Sequence, residues 1–178
     1  MLDHVILSKF KDSLITQDLQ FGFKKRHSTS QCTFVLNEIV QYYENQGTGV
    51  KLALLDASKA FDRVEYTKLF KLLLKRNMSP YIIRILINMY TSQSIRVRWG
   101  MFLTELSTVS NGVKQGGVLS PIMFIVYVDE LLSRLNNSPF GCYVGNVFCG
   151  ALGYADDDRG PYILCSGQFI GHMPRVCI

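Results

Sequence analysis

Two acidic stretches hold the residue types that could do chemistry. Asp56 closes the apolar run VKLALLD, and Asp156, Asp157 and Asp158 follow the apolar run FCGALGYA. Neighbouring carboxylates repel one another, so a fold either leaves them solvated or gives them a cation. Their oxygens are hard ligands, suited to magnesium or manganese and not to zinc. Two such ions held about 4 Å apart can activate an attacking hydroxyl and stabilise a leaving oxygen, which is the arrangement of phosphoryl transfer. If the strands that end near Asp56 and Asp156 lie side by side in one sheet, these acids face each other with Asp157 adjacent. The plainer alternative is a cap or turn acid after a strand and a solvated acid pair.

The elements that must position these acids can be read from periodicity. VKLALLD is a short continuous apolar run, the pattern of a buried strand with its functional group at the carboxyl end. FGCYVGNVFCGALGYADD reads as a hairpin around Gly145-Asn146. Leu2, Val5, Ile6, Phe10 and Leu14 recur at helical spacing and predict an amphipathic helix. The basic segment FGFKKRHSTS reads as a loop. Ser28, Thr29 or Ser30 caps a helix with Val35, Leu36, Ile39, Val40 and Tyr43 on one face, closed by Gly47 and Gly49. Two helices follow the VKLALLD strand, the second opening at Ser79-Pro80. SIRVRW alternates Ile95, Val97 and Trp99 with Arg96 and Arg98, which predicts a half-buried strand with a basic outer face. NGVKQGG is a turn, and VLSPIMFIVYVDELLSRL a long, mostly buried helix. Such alternation of strands and helices gives an α+β layered fold.

The chain of 178 residues is 48% hydrophobic and 19% charged, which fits one packed domain and excludes a disordered chain. No apolar stretch is long enough to cross a bilayer, and Asp3, Lys9, Lys11 and Asp12 argue against a secretory leader. The five cysteines form no CxxC pair, so neither a zinc site nor a disulfide framework is indicated. Reduced thiols in an intracellular protein are expected. The formal net charge of +5 comes from Lys and Arg spread over several segments while acids gather in a few, a balance compatible with a polyanionic partner.

LLDASKAFDRV, NGVKQGGVLSP and GYADD occur in this order, and together they resemble the palm of a reverse transcriptase of the non-long-terminal-repeat (LINE-type) retrotransposon kind. QFGFKKRHST is similar to the fingers motif of that family. The resemblance covers roughly residues 1–157 and implies fingers and palm, a small antiparallel palm sheet packed on helices, and no thumb. It implies an RNA-directed DNA polymerase that uses two Mg2+ (or Mn2+) ions, an RNA template, a DNA primer and dNTPs, with no membrane. A retroelement product of this kind is expected in the nucleus and cytoplasm. On the resemblance, Asp56, Asp156 and Asp157 are the catalytic metal ligands, joined by the carbonyl of Ala57. Phe61 stands beneath the incoming sugar and excludes a 2′-hydroxyl. Gln115 with Gly116 and Gly117 touches nucleotide and template, and Lys24, with Arg26 or His27, meets the triphosphate or template backbone. Lys24 stands where the family more often has arginine. Asp62 belongs to the pattern but is expected to pair locally, as with Arg63.

After Asp157 the family continues as an apolar strand, a basic motif and a thumb, whereas this chain has Asp158-Arg159-Gly160-Pro161. That string reads as a turn unable to extend a central strand, so residues 158–178 are expected to be a non-homologous, frameshifted tail. A truncated fingers and palm without that strand or a thumb implies weak or absent activity. The competing readings are a group II intron enzyme, a viral RNA polymerase, which usually has GDD at the hairpin, and a non-catalytic nucleic-acid-binding remnant of a retroelement.

Overall fold

The computed structural model describes residues 2–56, 59–138, 141–154 and 161–167, with Asp56 and the last stretch described by backbone alone. In chain order it has α1 (Leu2–Lys9), a 3-10 turn (Asp12–Leu14), α2 (Thr29–Asn45), β1 (Val50–Asp56), a second 3-10 turn (Phe61–Arg63), α3 (Tyr66–Lys75) and α4 (Pro80–Thr91). Then come β2 (Ser94–Ile95), β3 (Arg98–Trp99), β4 (Phe102–Leu103), β5 (Ser107–Thr108), α5 (Ser120–Asn136), β6 (Tyr143–Val144), β7 (Val147–Phe148), β8 (Ala151–Gly153) and β9 (Pro161–Gly167). The chain divides into two compact units, Met1–Thr16 with Ser58–Asp129, and Gln17–Ala57 with Glu130–Ile178.

In the first unit, α3 and α4 bury their apolar stripes. Leu69, Leu73 and Leu86 are fully buried, each worth about 1.5–3 kcal/mol relative to exposure. Tyr66, Phe70 and Tyr90 cluster with ring centroids 5.6–6.2 Å apart. Pro80 opens α4 at its first turn, where a missing N–H costs nothing, but the Ser79 side chain makes no cap hydrogen bond. The expected N-terminal helix is shorter than its periodicity: α1 stops at Lys9, and Leu14 is buried from the 3-10 turn that follows. An ion pair invisible to pattern reading lies here as well. Asp129 on α5 is buried and pairs with Arg76 at 2.5 Å, and Arg76 also donates to the Ile15 carbonyl.

The segment read as one half-buried strand, SIRVRW, is a two-stranded ribbon exposed on both sides. Ser94 and Ile95 pair with Thr108 and Ser107, whereas Arg98 and Trp99 pair with Leu103 and Phe102. Val97 and Thr104 exchange hydrogen bonds between these pairs. The register slips by one residue between the two pairings, so Glu105 and Leu106 together oppose Arg96. This is a β-bulge, and it splits the ribbon into two short ladders. Alternation predicted burial of one face; nothing among the described residues covers it.

In the second unit, α2 begins with a reciprocal capping box, Ser28 Oγ accepting from Gln31 N at 3.2 Å and Gln31 Oε1 from Ser28 N at 3.0 Å. Cys32 and Ile39 of α2 pack with Phe21, Cys142 and Leu152 into a core. The Tyr43 hydroxyl donates to Tyr143 O and accepts from Tyr143 N, tying α2 to the β6–β7 hairpin, whose turn is Gly145-Asn146 as expected.

The three-stranded sheet of this unit corrects two expectations. Its order is β1-β9-β8, all antiparallel, so the strand bearing Asp56 and the strand leading to Asp156 are not neighbours. The tail thought unable to extend a central strand supplies the middle one. Proline is tolerated as the first residue of a strand, and Pro161 stands at that position, with YILCSG continuing the ladder. β1 is therefore an edge strand in this sheet, and Leu52 and Leu54 on one face of it are exposed, where a buried strand was expected.

Candidate functional site

The sheet register fixes where the acids can meet. Asp56, the last residue of β1, pairs with Pro161, the first of β9, and Gly153, the last of β8, pairs with Tyr162. The β8–β9 connection, which contains Asp156 and Asp157, thus leaves and re-enters the sheet at the end where Asp56 lies. Ala57, Asp156, Asp157 and the Asp56 side chain fall outside the described residues. Carboxylate and carbonyl oxygens are hard donors of the kind that Mg2+ and Mn2+ take.

The basic loop belongs to the same unit and is anchored to the same sheet. Gln20 bridges Gly153 in parallel, Phe21 N donates to Gly153 O at 2.7 Å and Gly153 N to Leu19 O at 2.9 Å. A Cβ on Gly153 would come within 2.9 Å of Gln20 Oε1 and 3.0 Å of Leu132 Cδ1, so any larger residue here would displace these side-chain ends. Gln20 is fully buried. From this anchor, Lys24 is half-buried and donates to the Gln17 carbonyl, Arg26 is exposed with φ +65°, and His27 sits edge-on to Phe21 at 5.5 Å.

The other candidate residues assemble in the first unit. Phe61 is buried, its ring 5.0 Å from that of Phe124. Its carbonyl accepts from Val113 N at 2.9 Å, and the Val64 carbonyl accepts from Gly112 N at 2.9 Å. These two bonds hang the GVKQGG loop on the Phe61 turn. Gly112 is the residue that sequence reading missed: its φ is +92°, and a Cβ would meet the Asp62 Cα at 2.9 Å. A run of loop glycines was the available signal, but the one that matters most precedes the motif's glutamine. Beyond it, Gly117 N donates to Lys114 O at 3.1 Å. Gly116, with φ +75°, takes the turn position that demands positive φ and leaves Gln115 exposed at the corner. A Cβ on Gly117 would lie 2.6 Å from Ser120 Oγ at the start of α5. Asp62 forms no ion pair with Arg63; its backbone, packed under Gly112, is what the loop uses.

A groove of about 680 Å³ runs along this loop, lined among others by Asp62, Ser94, Ile95, Lys114 and Gln115. The groups whose ionisation burial shifts are packing groups in both units. Burial pushes the Tyr90 hydroxyl up to about 12, opposed by a Ser120 hydrogen bond, and burial likewise raises the Cys32 and Cys149 thiols. The structure thus brings Phe61, Gln115 and Gly116 together in one unit, and Lys24, Arg26 and the backbone of Asp56 in the other.

Residues 2–158 match the family described as reverse transcriptase (RNA-dependent DNA polymerase). Over 156 residues, 88% of this chain, the sequence is 26% identical to the retrovirus-related Pol polyprotein from the type-2 retrotransposable element R2DM of Drosophila melanogaster, covering 15% of that protein. It is 28% identical over 162 residues to the Pol polyprotein from the type-1 element R2 of Popillia japonica, covering 22% of it. Against the RNA-directed DNA polymerase from the Drosophila melanogaster mobile element jockey it is 29% identical over 113 residues, 63% of this chain and 12% of that protein. The chain therefore spans about a fifth or less of the length of these relatives.

Proposed function

The chain belongs to the reverse transcriptase (RNA-dependent DNA polymerase) family, and from that premise we propose that it is the fingers and palm part of a LINE-type polymerase that extends a DNA primer on an RNA template. The observation that carries this reading is the sheet register, which puts Asp56 at the same sheet end as the connection holding Asp156 and Asp157. In the reaction, the primer 3′-hydroxyl oxygen forms a bond to the α-phosphorus of a dNTP as the bond to pyrophosphate breaks, and the hydroxyl proton is lost. Divalent ions held by Asp56, Asp156, Asp157 and the Ala57 carbonyl would supply positive charge to the attacking and leaving oxygens.

The chain's other residues bind and orient. Phe61, fixed by Phe124, presents a rigid wall to the sugar, where a 2′-hydroxyl has no room. The exposed corner at Gln115-Gly116 offers backbone and amide groups to the nascent pair. Lys24 and Arg26 bring cations to phosphate oxygens. Most of the acceleration in such a reaction comes from positioning and charge neutralisation.

The test is magnesium-dependent incorporation of dNTPs on an RNA-templated DNA primer. The expected result is synthesis, however slow, that Asp156→Asn lowers at least 100-fold. Synthesis unchanged by that substitution would refute the assignment.

A further inference from the structure

The β3–β4 end of the ribbon exposes more aromatic surface than its packing requires. Trp99 and Phe102 are a directly opposed pair and are 80% and 81% exposed, with Met101 between them at 94%. Directly opposed residues share a face of an antiparallel pair. Neither ring stacks on another aromatic ring among the described residues. Arg96 and Arg98, which alternate onto the other face of the ribbon, are exposed and make no ion pair among the described residues. Arg98 is drawn to the tip, its Nε donating to the Gly100 carbonyl at 3.3 Å. The other end of the same ribbon, Ser94 and Ile95, lines the groove that Lys114 and Gln115 also line.

We propose that the Trp99–Phe102 tip is a stacking platform for the bases of single-stranded nucleic acid, with Arg96 and Arg98 reaching its phosphates around the edge of the thin ribbon and the ribbon leading the strand toward the Gln115 groove. An aromatic face backed by unneutralised arginines has the chemistry of sequence-tolerant single-strand binding. A protein partner is the weaker fit, because protein interface cores are depleted of charge, although they too favour aromatic residues and arginine. The assignment of a template strand to this surface rests on the polymerase reading; base stacking at the tip does not.

Trp99 is the single tryptophan of the chain, so its emission reports the site directly. Titrating the purified chain with an oligouridylate of about 12 nucleotides is expected to quench that emission saturably. Phe102→Ala is expected to weaken binding about tenfold. Replacing both arginines by glutamine is expected to lower the salt dependence of the binding constant by one to two. All these side chains are exposed, so thermal unfolding should stay as in the parent, which separates a binding loss from misfolding. The proposal is overturned by an absence of quenching, by heparin, which has no bases, quenching as well as the oligonucleotide, or by emission that shifts with protein concentration alone. Quenching without any primer extension would sink the polymerase reading and leave the platform standing. Extension with oligonucleotide affinity untouched by Phe102→Ala would do the reverse.

Discussion

Gly112 illustrates how much of the candidate site rests on single positions. Its φ of +92° and the 2.9 Å approach of a hypothetical Cβ to Asp62 leave no ordinary side chain a strain-free place. Gly112→Ala is expected to cost about 2–3 kcal/mol in urea unfolding, and to loosen the Gln115 corner that hangs from the same two hydrogen bonds. Gly116→Ala, also at positive φ but facing open space, should cost only about 1 kcal/mol. At Phe61 the expected change is one of selectivity: Phe61→Leu should raise the ratio of ribonucleotide to deoxyribonucleotide incorporation tenfold or more, measured in parallel primer extensions. The acids, Phe61 and Gln115 could be picked out from the sequence because their types and order carry a pattern. Gly112 could not be ranked above its neighbours, because its constraint comes from the backbone of Asp62, fifty positions earlier.

Among the elements, those with strong local signals were legible and those decided by their neighbours were not. The Ser28 cap, the Pro80 start and the Gly145-Asn146 turn are written in adjacent residues and appear where expected. SIRVRW has the alternation of a half-buried strand, yet its partner strand curls back through a bulge and neither face is covered. β9 failed for the opposite reason: Pro161 looked like a breaker, but at the first position of a strand it breaks no ladder. That strand's presence removes the argument for weak activity drawn from its absence. Asp129 and Arg76, far apart in sequence, gave no signal at all. Arg76→Met should destabilise the chain by about 3 kcal/mol by taking away the guanidinium that faces the buried Asp129 carboxylate. Arg76→Met with Asp129→Leu should recover most of that loss, as a double-mutant cycle in urea would show.

For the molecule as a whole, the sequence order interleaves what the fold separates: Lys24 and Asp56 belong to one compact unit, Phe61 and Gln115 to the other. Stability should respond to alkali through its buried phenols. The folded state holds the Tyr90 hydroxyl at about 12, above the ordinary tyrosine value near 10. The unfolded chain therefore loses that proton first, and stability should be full below about pH 10 and fall toward pH 12. Tyr90→Phe should remove on the order of 2 kcal/mol of that decline, seen as a flatter pH dependence of the urea midpoint.

The central claim is that Asp56 and Asp156, one hundred residues apart in sequence, share divalent ions while Asp158, which lies beyond the YADD motif, does not. Mn2+ binding to the purified chain, followed through the resonance of the free ion, tests it most directly. Asp56→Asn and Asp156→Asn should each weaken binding at least tenfold, and Asp158→Asn should leave it unchanged. Binding that survives both of the first two substitutions, or that Asp158→Asn lowers as much as they do, would contradict the account.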